Sequence, residues 1–187
     1  MEMSMILLII LAVFVIWLVV TFNGLVTARN RTKEAWSDID VQLKRRHDLI
    51  PNLLESVKGY LSHERGLLEN ITKSRSQAME AQKSGSHTDL AKAESMLGNL
   101  LGNLRVSMEA YPDLKANTNV AQLMDELSDT ENKIMAARRF YNGQTRDFNT
   151  KLEVFPTNLI GNTLKFVKFD FFEIADATER ENVTVKF

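Results

Sequence analysis

Met5–Phe22 reads MILLIILAVFVIWLVVTF. These 18 residues carry no charge, and Thr21 is their one polar side chain. As a helix they rise about 27 Å, close to the hydrocarbon thickness of a bilayer. A buried helix of a globular protein would show a polar face, and this stretch has none. A cleaved secretory signal would want a basic start, a shorter apolar run and a small-x-small site. Here Glu2 is the one charge before the run, and Asn23-Gly24-Leu25-Val26-Thr27 follows it. The reading is an uncleaved single-pass anchor at 1–24, with Met5, Ile6, Leu11, Phe14, Trp17 and Phe22 facing lipid. Arg29, Arg31 and Lys33 lie just beyond, and no Lys or Arg precedes the run. By the positive-inside rule, the domain that follows is expected in the cytoplasm.

The whole chain has 187 residues, 23 Lys+Arg and 24 Asp+Glu. Setting Glu2 aside, the remainder balances 23 against 23. A nucleic-acid binder would need a basic excess, so that class is disfavoured. There is no Cys, which removes disulfides, thiolate metal sites and thiol nucleophiles. Eight Gly and three Pro suit a helical chain better than a loop-rich one.

From Leu25 the apolar residues take up a heptad spacing. Trp36, Leu43, Ile50, Val57 and Ile71 share one register, and Ile39, Leu53, Tyr60 and Leu67 share its companion. Leu54, Leu61 and Leu68 widen the stripe to that of a bundle helix. The spacing predicts one helix to about Lys83, roughly 85 Å long. Kinks are expected at Pro51, Pro112 and Pro156. Ser84–Thr88 reads as a turn, and Leu90, Leu97 and Leu104 predict a second helix over about 89–110. Gly98 and Gly102 share a face that would let a neighbouring helix approach closely. Asn119 with Gln122 resembles a capping box for a third helix. Val120, Leu127, Ile134, Tyr141 and Phe148 carry that helix to about Glu153. The tail, 157–187, reads as extended. KFVKFDFF alternates in part, and Val183, Val185 and Phe187 alternate at the end. Phe166, Phe169, Phe171 and Phe172 are expected to dock the tail on the bundle or on another subunit, since so short a module has no core of its own.

Four charged residues interrupt the apolar registers: Arg46 and Glu64 in the first helix, Glu131 and Arg138 in the third. A buried unpaired charge is too costly to keep, so antiparallel packing is expected to pair them. Ion pairs that fix helix register are favoured over a catalytic acid–base pair, because a bundle offers no evident cleft. His47, His63 and His87 are scattered and read as surface residues. His63-Glu64 lacks a second His at zincin spacing, and no phosphate loop or nucleophile elbow occurs. No catalytic, cofactor or metal site is expected.

Three stretches together are distinctive: RNRTKEAWSDIDVQLKRRHDLIPNLLESVKGYLSHE at 29–64, TENKIMAARRFYNGQTRDFN at 130–149, and FPTNLI at 155–160. After a short apolar anchor, this ordered series resembles the LemA family of bacterial single-pass membrane proteins. The likeness covers about residues 20–172. It departs at Gly161, where the family usually has Ala, and fades beyond about 172. The resemblance implies an all-α fold, in which a transmembrane helix continues into an antiparallel bundle of long helices (25–156) and ends in a short aromatic tail. It implies a bacterial cytoplasmic membrane, with the N-terminus outside and the bundle inside. A magnetosome membrane protein is similar too, which links the family to membrane shaping. Other members are associated with envelope stress and a membrane metalloprotease. The expected function is therefore a non-catalytic scaffold, a large homo-oligomer on membrane lipids. The alternative is an adaptor that recruits envelope protein partners.

Overall fold

A computed structural model describes residues 2–61 and 63–173. Its six helices are α1 (Glu2–Lys58), α2 (Arg65–Ser84), α3 (His87–Met108), α4 (Pro112–Lys115), α5 (Thr118–Glu153) and α6 (Thr157–Thr163). No strand occurs among the described residues. The chain is all-α, and its first helix begins with the long apolar run.

Two compact units form. The first takes the described residues of Met1–Asp40 and Met135–Phe171. Within it, Leu25, Ala28, Thr32, Ala35 and Ile39 are buried, a three–four spacing that starts only after Phe22. Ala35 fills the register position that the sequence assigns to Trp36, which is half-exposed. Trp36 instead meets Tyr141 edge-on at 5.1 Å between ring centroids. The Thr32 hydroxyl lies 3.3 Å from the Gln144 carbonyl, and Leu25 shares a core with Phe148 and Leu152. Residue numbers rise on α1 as they fall on α5, so the two helices run antiparallel.

Residues 157–163 are helical, not extended. Pro156 stands at the N-cap of α6, where a proline's missing donor is harmless. Gly161 lies so close to α5 that a β-carbon there would come within 2.8 Å of Leu152 Cδ2. The helix ends in a Schellman turn: Phe166 N–H donates to the Gly161 carbonyl (2.9 Å), and Lys165 N–H to that of Asn162 (3.1 Å). Lys165 takes the left-handed position (φ 54) that usually falls to glycine. The turn sends Phe166 back onto Phe148, at 6.2 Å between centroids, with Phe169 at 5.4 Å. Asn149 then fixes Phe169 at both backbone groups: its side chain accepts from the N–H at 3.0 Å and donates to the carbonyl at 2.9 Å. A side chain thus replaces the ladder partner that a strand would have needed. Phe171 is 40% exposed, whereas Phe172 is buried and belongs to the second unit. The alternating end at Val183, Val185 and Phe187 lies outside the described residues.

The second unit takes the described residues of Val41–Ile134 and Phe172–Phe187. Its core joins Ile50, Leu53, Val57 and Leu61 to Ile71 and Ala78 of α2, Leu97 and Leu104 of α3, Leu114 of α4, and Val120 and Leu127 of α5. The expected single helix over 25–83 is in fact two, because α1 ends at Lys58 and α2 begins at Arg65. Gly59, a poor helix former, follows Lys58, and leaving the helix lets Leu61 turn in and become fully buried. Tyr60 faces out. Gly85 (φ 75) ends α2, and the Ser86 hydroxyl oxygen accepts from Asp89 N–H at 3.3 Å to cap α3. The short link makes α2 and α3 an antiparallel hairpin. Pro112 opens α4 and kinks no helix. Asn117, not Asn119, caps α5: its side-chain oxygen accepts from Asn119 N–H (3.0 Å) and Val120 N–H (3.3 Å).

Candidate functional site

The buried spacing of α1 continues as Ile39, Leu43, Arg46, Ile50, Leu53 and Val57. Arg46 therefore lands in the core, with His47 beside it, and both are buried. On α3, Glu94 falls between Ala91 and Leu97 of that helix's inner face. The three meet in a polar layer. Arg46 Nη1 lies 3.2 Å from Glu94 Oε2, and Arg46 Nη2 lies 2.9 Å from Glu131 Oε2. His47 Nε2 lies 2.7 Å from Glu94 Oε1. Glu131 is half-exposed, so the layer opens to solvent on that side. Gly98 supplies the room: a β-carbon there would stand 3.2 Å from Arg46 Nη2. Gly102, its partner in the close-approach expectation, has nothing within 4 Å of such an atom.

Pro51 sits inside α1 without ending it. A proline has no N–H, so the His47 carbonyl four residues back loses its helical donor. Arg75 on α2 takes over, donating from Nε to that carbonyl at 2.7 Å. A buried carbonyl needs such a partner. Replacing Arg75 with Met is expected to cost about 1–2 kcal/mol in urea unfolding. In a Pro51→Ala background the new amide regains the carbonyl, and the same change is expected to cost about 0.5 kcal/mol or less. Equal costs in the two backgrounds would contradict this role for Arg75.

Of the four charged residues singled out in the sequence, Arg46 and Glu131 come together. Glu64 stands at the N-cap of α2, outside the layer, its carbonyl accepting from Leu67 and Leu68 N–H. Arg138 belongs to the first unit. The surface reading of His47 fails, and Glu94 was missed. Both stand three or four residues from buried aliphatics, a pattern that Glu64 shares with its leucine neighbours.

Two ionisable groups outside the layer are shifted. Lys44, hydrogen-bonded to Asp48 at 2.6 Å, holds that exposed carboxyl below the ordinary aspartate value. Burial raises the Tyr141 phenol above 10.0, and the nearby Asp170 carboxylate adds to the effect. The phenol donates to the Asp170 backbone carbonyl at 2.8 Å. The unfolded phenol ionises at lower pH than the folded one. Its contribution is thus complete below pH 10 and is lost as pH climbs through the raised value. Alkaline unfolding followed by circular dichroism is expected to begin later in Tyr141→Phe than in the parent once their neutral stabilities are subtracted.

The apolar run is the other distinctive feature. Met3, Met5 to Leu11, Val13 to Ile16, Val19, Val20 and Phe22 are all exposed, and no part of the most apolar window is buried. Phe14 and Trp17 stack at 5.8 Å. A helix long and apolar enough to cross a membrane is present, and the fold leaves it uncovered.

Comparison with known proteins matches residues 35–187 to the LemA family profile. Protein LemA of Metamycoplasma hominis is 31% identical over 163 residues, covering 87% of this chain and 72% of that protein. Magnetosome protein MamQ 2 of Paramagnetospirillum magneticum is 22% identical, with coverages of 91% and 71%. Magnetosome protein MamQ of Magnetospirillum gryphiswaldense is also 22% identical, with coverages of 93% and 72%. With residues 35–187 matched by the profile and a LemA protein 31% identical over 87% of this sequence, the chain belongs to the LemA family.

Proposed function

We propose that this protein is a single-pass membrane anchor whose helical domain gathers with further copies into a non-catalytic scaffold that organises the membrane. The observation that carries the reading is the uncovered apolar helix. Exposing fifteen large hydrophobic side chains between Met3 and Phe22 to water would be prohibitively unfavourable, whereas a bilayer accepts them. Arg29, Arg31 and Lys33 favour a cytoplasmic domain on the inner membrane. Kinship with two magnetosome proteins favours membrane organisation over chemistry. The mutual pairing of Arg46, His47, Glu94 and Glu131 favours a register device over an acid–base site.

Self-association draws on Phe155, Leu159, Leu164 and Val167, which are 50–79% exposed along one short segment around α6. Isolated weak contacts gain strength once an anchor confines copies to a plane. The partners are therefore membrane lipids and other copies of the chain. Light scattering of the protein in mild detergent, over a range of concentrations, tests this. Assemblies larger than a dimer are expected, with Phe155→Glu/Leu159→Glu shifting them toward monomer. A strict monomer throughout would contradict the scaffold, and a monomer that retains a stoichiometric envelope protein would be an adaptor.

A further inference from the structure

The first unit contains a groove of about 640 Å³ between two polar helix faces. Asn23, Gly24, Thr27 and Arg31 line it from α1, and Asp147 and Lys151 are among those lining it from α5. Its position is set by the sequence. The uncharged run ends at Phe22, and the lining begins with the next residue. From Asn23 to Arg31 the helix advances about 12 Å, and the headgroup layer is roughly 5–8 Å deep. The mouth of the groove therefore lies at headgroup level whenever Met5–Phe22 spans the hydrocarbon.

The lining has the chemistry of a phosphodiester site. Arg31 and Lys151 bring two positive charges and Asp147 one negative. Arg146 Nε lies 3.6 Å from Asp147 Oδ1 and partly neutralises it. A net single positive charge thus faces a ligand that carries a single negative one. A guanidinium can grip both non-bridging oxygens, with the Asn23 amide and Thr27 hydroxyl as further donors. Gly24 borders open space: a β-carbon there would meet nothing within 4 Å. A glycine in a helix interior is unfavourable relative to alanine. Space no side chain occupies, beside a bare apolar helix along which acyl chains can lie, suits a lipid.

We infer that this groove binds the phosphate headgroup of a membrane phospholipid, with an anionic lipid held more tightly than a zwitterionic one. The inference rests on the membrane reading above. The test is native mass spectrometry of the full chain, released from detergent after exposure to phosphatidylglycerol, phosphatidylcholine or inorganic phosphate. Phosphatidylglycerol is expected to be retained about tenfold more tightly than phosphatidylcholine. Arg31→Gln/Lys151→Gln is expected to erase the difference. Gly24→Leu is expected to reduce retention of both lipids while helicity by circular dichroism is unchanged. Equal retention of the two lipids, or retention unaffected by both variants, would overturn the inference. So would inorganic phosphate bound at the same site without lipid. Flotation with phosphatidylcholine vesicles separates the two failures. A chain that does not float loses the membrane reading, whereas one that floats without discriminating loses this inference alone.

Discussion

Replacing Glu94 with Ala is expected to cost the second unit about 3 kcal/mol. Glu94 is buried and holds two partners at once, Arg46 at 3.2 Å and His47 at 2.7 Å. Its removal leaves a buried guanidinium with the half-exposed Glu131 as its remaining carboxylate in the layer, and takes away the His47 partner. Glu94→Gln keeps the shape and one acceptor, so it should cost less, about 1–2 kcal/mol. Replacing Arg46 and Glu94 together with Met and Leu should restore part of the loss, since no guanidinium is then left buried, although His47 still lacks its partner. Amide hydrogen exchange over α3 and the Val41–Lys58 part of α1 reads the effect. If Glu94→Ala matched the parent, the polar layer would not be holding the helices in register.

Phe148→Ala is expected to be at least as severe, about 3–5 kcal/mol in the first unit. The ring is fully buried with Leu25, Ala28 and Leu152. Phe166 and Phe169 also rest on it. Losing it empties the seat of the tail as well as the α1–α5 core. Amide exchange at Phe169, whose N–H is held by Asn149, should speed up with the global loss. Phe171→Ala, at a side chain 40% exposed, should change stability by less than about 1 kcal/mol. Equal effects at the two phenylalanines would mean that the tail is not seated on Phe148.

These two sites differ in how readable they were. The apolar run, the helical class and the aliphatic spacing of α5 could all be read directly, because hydrophobic period and length carry that information. The break after Lys58 could not. Gly59 is one weak signal inside a strong repeat, and what ends the helix is the long-range burial of Leu61. α6 was hidden because its C-terminal turn uses Lys165 where a glycine would have marked it. Arg46 and Glu131 were both visible as interruptions of their registers, and their pairing at 2.9 Å follows that reading; Glu94 was not visible, because it lies on another helix and nothing local distinguishes it from Glu64. Arg75 could have been found by accounting. A proline within a helix leaves one carbonyl without a donor, and some side chain must supply it.

Everything functional depends on the chain residing in a bilayer through Met5–Phe22. Alkaline carbonate extraction of membranes from cells producing the full chain tests that most directly. The protein should stay wholly in the membrane pellet and leave it only with detergent. Recovery of the intact chain in the carbonate supernatant would contradict the account.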